Sequence, residues 1–355
     1  MQRSIMLAEI HQQPAALERT LTGALGAVKR LRRVVEGRRP RLIVLAARGT
    51  SDNAALFGRY LLETTTGIPV SLAAPSIFTL YGADVNLRDA LMVAVSQSGE
   101  STDTNLVLER ARRAGALTVG ITNNARSTLA GLAEHCFFVR AGKEKSVAAT
   151  QTYTGQVLML YLLAGALGAP IEDDDLRRLP EWVDGALRLE PDIASRAEGY
   201  RFMRHTAVVG RGLNYANAFE FALKLMETCY VVAERFSSAD FLHGPIAMVE
   251  QTFPVFLFAP GGATWPSLLA MLEKLRGLGA DTMVITDRAN KEAARLARRA
   301  IVLPLRPAGE GPLGPELYTP IPYVVPAQMF AACLAAEKGL DPDRPRTLQK
   351  VTQTL

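Results

Sequence analysis

The chain has 355 residues, of which 48% are apolar and 21% charged, and its formal net charge is +5. That is an ordinary soluble composition, long enough for two domains, and a charge this modest does not argue for nucleic acid. Three scattered cysteines without a C-x-x-C, and four histidines without ligand spacing, speak against a disulfide framework, a thiol redox motif and a metal site.

The opening MQRSIMLAEIHQQP has a short apolar stretch interrupted by Glu9, which is unlike a signal peptide. The first 34 residues are read as a helical segment, and the basic run KRLRRVVEGRRPR (29–41) as the solvated end of a helix. Strand-length apolar runs then alternate with helical patterns. RLIVLAA (41–47) is a strand, followed by the turn RGTSDN and the helix AALFGRYLLETT. PVSLAA (69–74), ALMVAVS (90–96), LTVGIT (117–122) and HCFFVR (135–140) are further strands. The stretch VLMLYLLAGALGA belongs to a helix too short to span a bilayer and fit for a buried core position. Near-continuous apolar strands between helices predict parallel sheets covered on both faces.

The pattern then repeats. HTAVVG (205–210), FPVFLFAPGG (253–262), DTMVITD (281–287) and RAIVLPL (299–305) read as strands, with NAFEFALKLMETCYVV as a helix after the turn RGLNYA. The two halves predict two similar α/β lobes, at 35–175 and 190–340, joined by a linker around EDDDLRRLPEW. The tail, 341–355, has no long apolar period and by composition alone is a frayed terminus.

Ligands of open parallel sheets sit beyond the carboxyl ends of the strands. Both RGTSDN and SQSGEST lie there, each just before a helix, where free N–H groups and the helix dipole attract an anion. One N-cap uses one hydroxyl. Here Ser96, Ser98, Ser101, Thr102 and Thr104 crowd one turn, with Thr50 and Ser51 on the neighbouring one, which favours a phosphate or phosphosugar cradle over simple capping. The matching stretch of the second half is APGGAT, so the cradle is assigned to the first lobe. Glu220, Lys224 and Glu227 fall on one helical stripe, consistent with a surface ion pair or with a cleft-facing base and its partners. His243, in SSADFLHGP, sits at a turn and carries an imidazole, a side chain suited to proton shuttling; Lys350 on its own is a solvated tail charge.

Taken together, MLAEIHQQP, RGTS, SQSGES, SVAAT, ALKLMET, HGP and RTLQKVT, in that order along the whole chain, resemble the sugar isomerase (SIS) domain proteins. The likeness is to the isomerase half of glucosamine-6-phosphate synthase and to synthase-like glucosamine-6-phosphate deaminases. It implies two tandem doubly wound, flavodoxin-like lobes with a C-terminal tail closing over the site. By the same resemblance Thr50, Ser51, Ser96, Gln97, Ser98 and Ser101 hold the phosphate and sugar, and Val147 lines the sugar site. Glu227 is the base between C1 and C2, Glu220 and Lys224 support it, His243 from a neighbouring subunit opens the ring, and Lys350 forms a Schiff base with a keto sugar.

Two positions depart from the synthases: Ala149 replaces a serine and Gln151 a lysine. No glutaminase stretch with its N-terminal cysteine precedes the first strand, which implies that this chain does not draw ammonia from glutamine itself. The implied reaction is deamination of glucosamine 6-phosphate to fructose 6-phosphate and ammonia, without a metal or other cofactor. Aldose–ketose isomerisation of a related sugar phosphate is the alternative, and a non-catalytic phosphosugar sensor the alternative of another class. The expected partners are the sugar phosphate and a second copy of the chain, with neither nucleic acid nor membrane, in the cytosol.

Overall fold

The computed structural model describes residues 4–307, 309 and 311–350. The last five residues of the tail, 351–355, lie outside the described residues. In chain order the elements are α1 (Ile5–Ile10), α2 (Gln13–Gly37), β1 (Leu42–Ala46), α3 (Thr50–Thr66), β2 (Val70–Leu72), α4 (Pro75–Thr79), β3 (Ala90–Val95), α5 (Thr102–Arg113), β4 (Leu117–Thr122), α6 (Thr128–Leu132), β5 (His135–Phe138) and α7 (Gln151–Ala166). They continue with α8 (Asp173–Leu187), α9 (Glu190–Glu198), β6 (His205–Gly210), α10 (Tyr215–Cys229), β7 (Val232–Ser237), α11 (Ser238–Leu242), β8 (Pro254–Phe258), α12 (Trp265–Gly277), β9 (Asp281–Asp287), α13 (Lys291–Leu296), β10 (Arg299–Leu303) and α14 (Pro320–Glu337).

Two five-stranded parallel sheets result, ordered β2-β1-β3-β4-β5 and β10-β9-β8-β6-β7. Each follows from its residues. β3 and β4 are buried along their whole length, as central strands covered on both faces must be. Val44, Ala46, Met92 and Ala94 pack on Val107, Leu108 and Ala111 of α5. Val255, Leu257 and Val284 do the same with Leu268, Met271, Leu272 and Leu275 of α12. Each valine, leucine or methionine so removed from water contributes about 1.5–3 kcal/mol. In both sheets the strand order reverses, between β1 and β3 in one and between β6 and β8 in the other, which opens a crevice at the carboxyl ends of those strands.

The chain divides into two compact units. The first-sheet unit comprises Ala15–Glu144, Gln151–Arg177 and Leu348–Leu355; the second-sheet unit comprises Met1–Pro14, Lys145–Thr150 and Arg178–Thr347. Both ends of the chain and the SVAAT stretch therefore exchange units, which no reading by contiguous blocks can capture.

Three elements differ from the sequence expectation. The stretch read as a linker is α8, a helix despite Pro180. Asp173, Asp174 and Asp175 suit its positive first turn, and Leu176, Leu179, Trp182, Val183 and Ala186 bury one stripe. The helix read to Val232 stops at Cys229 because Tyr230 turns left-handed (φ 53°), a stop without the glycine that usually signals one. The following residues are β7, an edge strand that leaves Val232, Glu234 and Arg235 exposed and so lacks an apolar signature. By contrast, α7 is buried at all but one of its positions, as its apolar run predicts.

Among the described residues Cys136, Cys229 and Cys333 form no disulfide, and Cys136 and Cys333 are only partly buried. Burial pushes the thiols of Cys136 and Cys229 up to about 12, which leaves them unreactive. No described helix is long and apolar enough to cross a membrane.

Candidate active site

In the first-sheet unit, the turns after β1 and β3 flank the crevice. Gly49 (φ 56°) leads into α3, and Thr50 is that helix's first residue. Ser51 is buried and accepts a hydrogen bond from Gln156 Nε2 of α7 (2.9 Å). After β3, Ser96 Oγ accepts from Gly99 N–H (3.1 Å) and Ser98 Oγ from Glu100 N–H (3.2 Å). Gly99 is fixed as glycine: its φ is 71°, and a Cβ would lie 2.2 Å from Ser127 Oγ. Ser101 stands at the N-cap of α5 but makes no side-chain cap bond, and Gly49 offers none to α3. Ser4, Ser127, Ser237 and Asn290 do cap their helices. The Ser101 hydroxyl is thus not consumed in capping α5, whereas at the start of α3 Ser51 N–H donates to Arg48 O and the N–H groups of Asp52 and Asn53 to Gly49 O. The two turns are also tied to each other by Arg48 and Asp103 (2.6 Å).

Gln97 leads to a residue that sequence reasoning missed. Its Nε2 donates to Glu144 (2.9 Å), a buried carboxylate that also accepts from Thr152 Oγ1 (2.7 Å) and Thr152 N–H (3.3 Å). The fourth partner of Glu144 is Lys350 Nζ, at 3.1 Å. The tail lysine is therefore joined to the cradle glutamine through one buried carboxylate, in place of a solvated end. The sequence signal for Glu144 is faint, since KEK reads as surface charge. Gln151, the first residue of α7, is fully buried, and neither its amide nitrogen nor its oxygen has a hydrogen-bond partner.

In the second-sheet unit, α10 packs on β6, β7 and α14 and carries the acidic–basic stripe. Glu220 and Lys224 are fully buried, which removes the surface-pair reading. Lys224 Nζ lies 2.5 Å from Glu227 Oε2 and 3.5 Å from Glu220 Oε1. Glu227 keeps 22% of its side chain exposed and is the member of the trio open to a ligand. His243 ends α11; its exposed ring has no hydrogen-bond partner among the described residues.

The start of the tail is held in the same unit. The Asp343 carboxylate accepts from Ile5 N–H (2.8 Å) and Met6 N–H (2.7 Å), and Asp343 O accepts from Val147 N–H (3.2 Å). Glu9, on α1, accepts from Lys145 N–H and from Ser146 N–H (3.2 Å). Arg346 N–H donates to Tyr230 Oη (2.8 Å) and its guanidinium stacks on that ring. Helix α1, the SVAAT stretch and the root of the tail form one hydrogen-bonded knot. Asp343→Ala is expected to cost about 1–2 kcal/mol, the value of a lost helix cap, and to speed amide exchange at Ile5, Met6 and Val147 together. Exchange that rises at Ile5 and Met6 but not at Val147 would show that the knot is not one unit.

A family model for the SIS domain matches residues 38–166 and 202–337. The chain belongs to the SIS domain family. Over 97% of its length it is 35% identical to the isomerizing glutamine–fructose-6-phosphate aminotransferase of Methanothermobacter thermautotrophicus and 34% identical to that of Pyrococcus horikoshii. It spans 56% and 57% of those enzymes. Among solved structures, the C-terminal domain of glucosamine-fructose-6-phosphate aminotransferase from Francisella tularensis superposes with a TM-score of 0.86 at 28% identity, covering 96% of this chain and 98% of that one. Tagatose-6-phosphate ketose/aldose isomerase from Escherichia coli shares the fold at 22% identity, with a TM-score of 0.81 over 97% of this chain and 96% of that one. The two matched segments correspond to the two five-stranded sheets, as tandem SIS lobes.

Proposed function

We infer that this SIS protein is a phosphosugar enzyme that deaminates a 2-amino-2-deoxyhexose 6-phosphate, with glucosamine 6-phosphate as first candidate. The phosphate is held by Thr50, Ser51, Ser96, Gln97, Ser98 and Ser101 with the start of α5. His243, lent by a second copy of the chain, opens the sugar ring; its exposed, unengaged imidazole supports that assignment. Glu227 takes the proton from C2 of the open-chain amino aldose and returns it to C1. With a proton passed from the C2 amine to O1, the product is a C2 imine with a C1 hydroxymethyl group. Water adds to the imine carbon, ammonia leaves, and fructose 6-phosphate remains. Glu220 and Lys224 hold Glu227 in place. Lys350, held by Glu144, is the amine that takes a keto sugar as a Schiff base.

The observation that carries this reading is the α10 trio. A fully buried lysine is spent on orienting one partly exposed carboxylate 2.5 Å away. A sensor that only binds its sugar has no use for so costly an arrangement. The test is a panel of hexosamine 6-phosphates and unaminated aldose and ketose 6-phosphates, given to the purified protein with and without glutamine. Ammonia and ketose formed together from an amino sugar, without glutamine, are expected. Ketose–aldose interconversion without ammonia would replace deamination by isomerisation, and no turnover of any member would remove the enzymatic reading.

A further inference from the structure

The second sheet has its own crevice, between the turns after β6 and β8, and it is already filled. Glu316 is 1% exposed and reaches into it. Its Oε1 accepts from Leu213 N–H (3.1 Å), in the turn that opens onto α10. Its Oε2 accepts from Thr264 Oγ1 (2.7 Å), in the APGGAT loop after β8, and Thr264 N–H adds a backbone bond. These two loops occupy, in the second sheet, the places that RGTS and SQSGES occupy in the first.

The correspondence extends to the glycines. Gly49 and Gly212 follow β1 and β6 with nearly equal positive φ, at 56° and 57°. A Cβ on Gly49 would meet nothing within 4 Å, whereas a Cβ on Gly212 would lie 2.7 Å from Glu316 Oε1. One crevice is open where the other is stoppered. The stopper's place in the sequence repeats as well. The fourth residue before α7 is Val147, and the fourth before α14 is Glu316. At equivalent positions, one half carries a side chain without a hydrogen-bonding group and the other a carboxyl.

We propose that the second crevice is a latent oxyanion site occupied by the protein's own Glu316 carboxyl, which confines external anions to the first crevice. A carboxyl offers the two acceptor oxygens that a helix start and a threonine hydroxyl want, and it does so without a diffusible ligand. Burial pushes Glu316 up to about 7, against the opposing pull of its Thr264 and Leu213 hydrogen bonds. Work above that value keeps the native stopper charged. The inference concerns anion occupancy and stands apart from the reaction assigned to the first crevice.

The experiment compares the full chain with Glu316→Ala and Glu316→Gln at pH 8. Probes are formate, by thermal unfolding, and inorganic phosphate, by calorimetric titration. Glu316→Ala is expected to lose stability, to regain most of it in millimolar formate, and to bind one more equivalent of phosphate than the native chain. Glu316→Gln keeps an acceptor oxygen in the crevice and is expected to gain no phosphate and to respond little to formate. The difference between variant and native chain is what is read, so absence of phosphate at the first crevice would count against the proposed function and not here. An Ala variant that gains no equivalent and is not stabilised by formate overturns the proposal, as does one that stays unfolded whether or not formate is present during refolding.

Discussion

Glu227→Gln is expected to lower turnover of the amino sugar phosphate by about 10²–10⁴-fold, the contribution of one well-placed acid–base group. The substitution keeps the shape of the side chain and an oxygen facing Lys224 Nζ, now 2.5 Å from the carboxylate. It removes the capacity to take a proton and the charge facing Lys224, which keeps Glu220 as its buried counter-ion. Binding should survive, because the proposed phosphate grip is assigned to Thr50, Ser51 and the Ser96–Ser101 turn and does not involve Glu227. The loss should therefore fall on kcat, with KM changed little. Exchange of the C2 hydrogen with solvent deuterium, followed by NMR, isolates the step: it should vanish together with ammonia release. Exchange that persists at the native rate would take the base role away from Glu227.

How much of this was legible beforehand depended on whether the signal was local. Both sheets could be read strand by strand because central parallel strands are continuously apolar, as β3 and β4 are. The edge strand β7 could not, since half of it faces solvent and its charged pair Glu234–Arg235 suits a helix equally well. Its start is set by the left-handed turn at Tyr230, a tertiary choice with no glycine to announce it. The hydroxyl-rich turn stood out as a candidate site because many short polar groups at a strand end are unusual. Glu144 and Glu316 were silent. Each is a single carboxylate whose partners lie far along the chain, at Lys350 for one and at Leu213 and Thr264 for the other. The stripe on α10 was visible by spacing, but spacing does not reveal burial, and burial decides between a weak surface pair and a costly internal one.

That cost makes Lys224 the position of largest expected effect on stability. Lys224→Met keeps length and apolar stem but deletes the ammonium from a site where Lys224 and Glu220 are both fully buried. Removing one partner of a buried ion pair leaves the other's charge out of water and typically costs about 3–5 kcal/mol. Glu227 is less affected, because its partial exposure lets water replace the lost donor. The penalty therefore rests mainly on Glu220, whose carboxylate loses the cation 3.5 Å away. Urea unfolding should show the loss as a lower midpoint at unchanged slope. The double variant Lys224→Met with Glu220→Gln should recover much of it, since the stranded charge is then gone. It should not recover turnover, because Glu227 still lacks the ammonium that orients it. A single variant within about 1 kcal/mol of the native chain would show that Glu220 is held by other groups, and that Lys224 serves Glu227 alone.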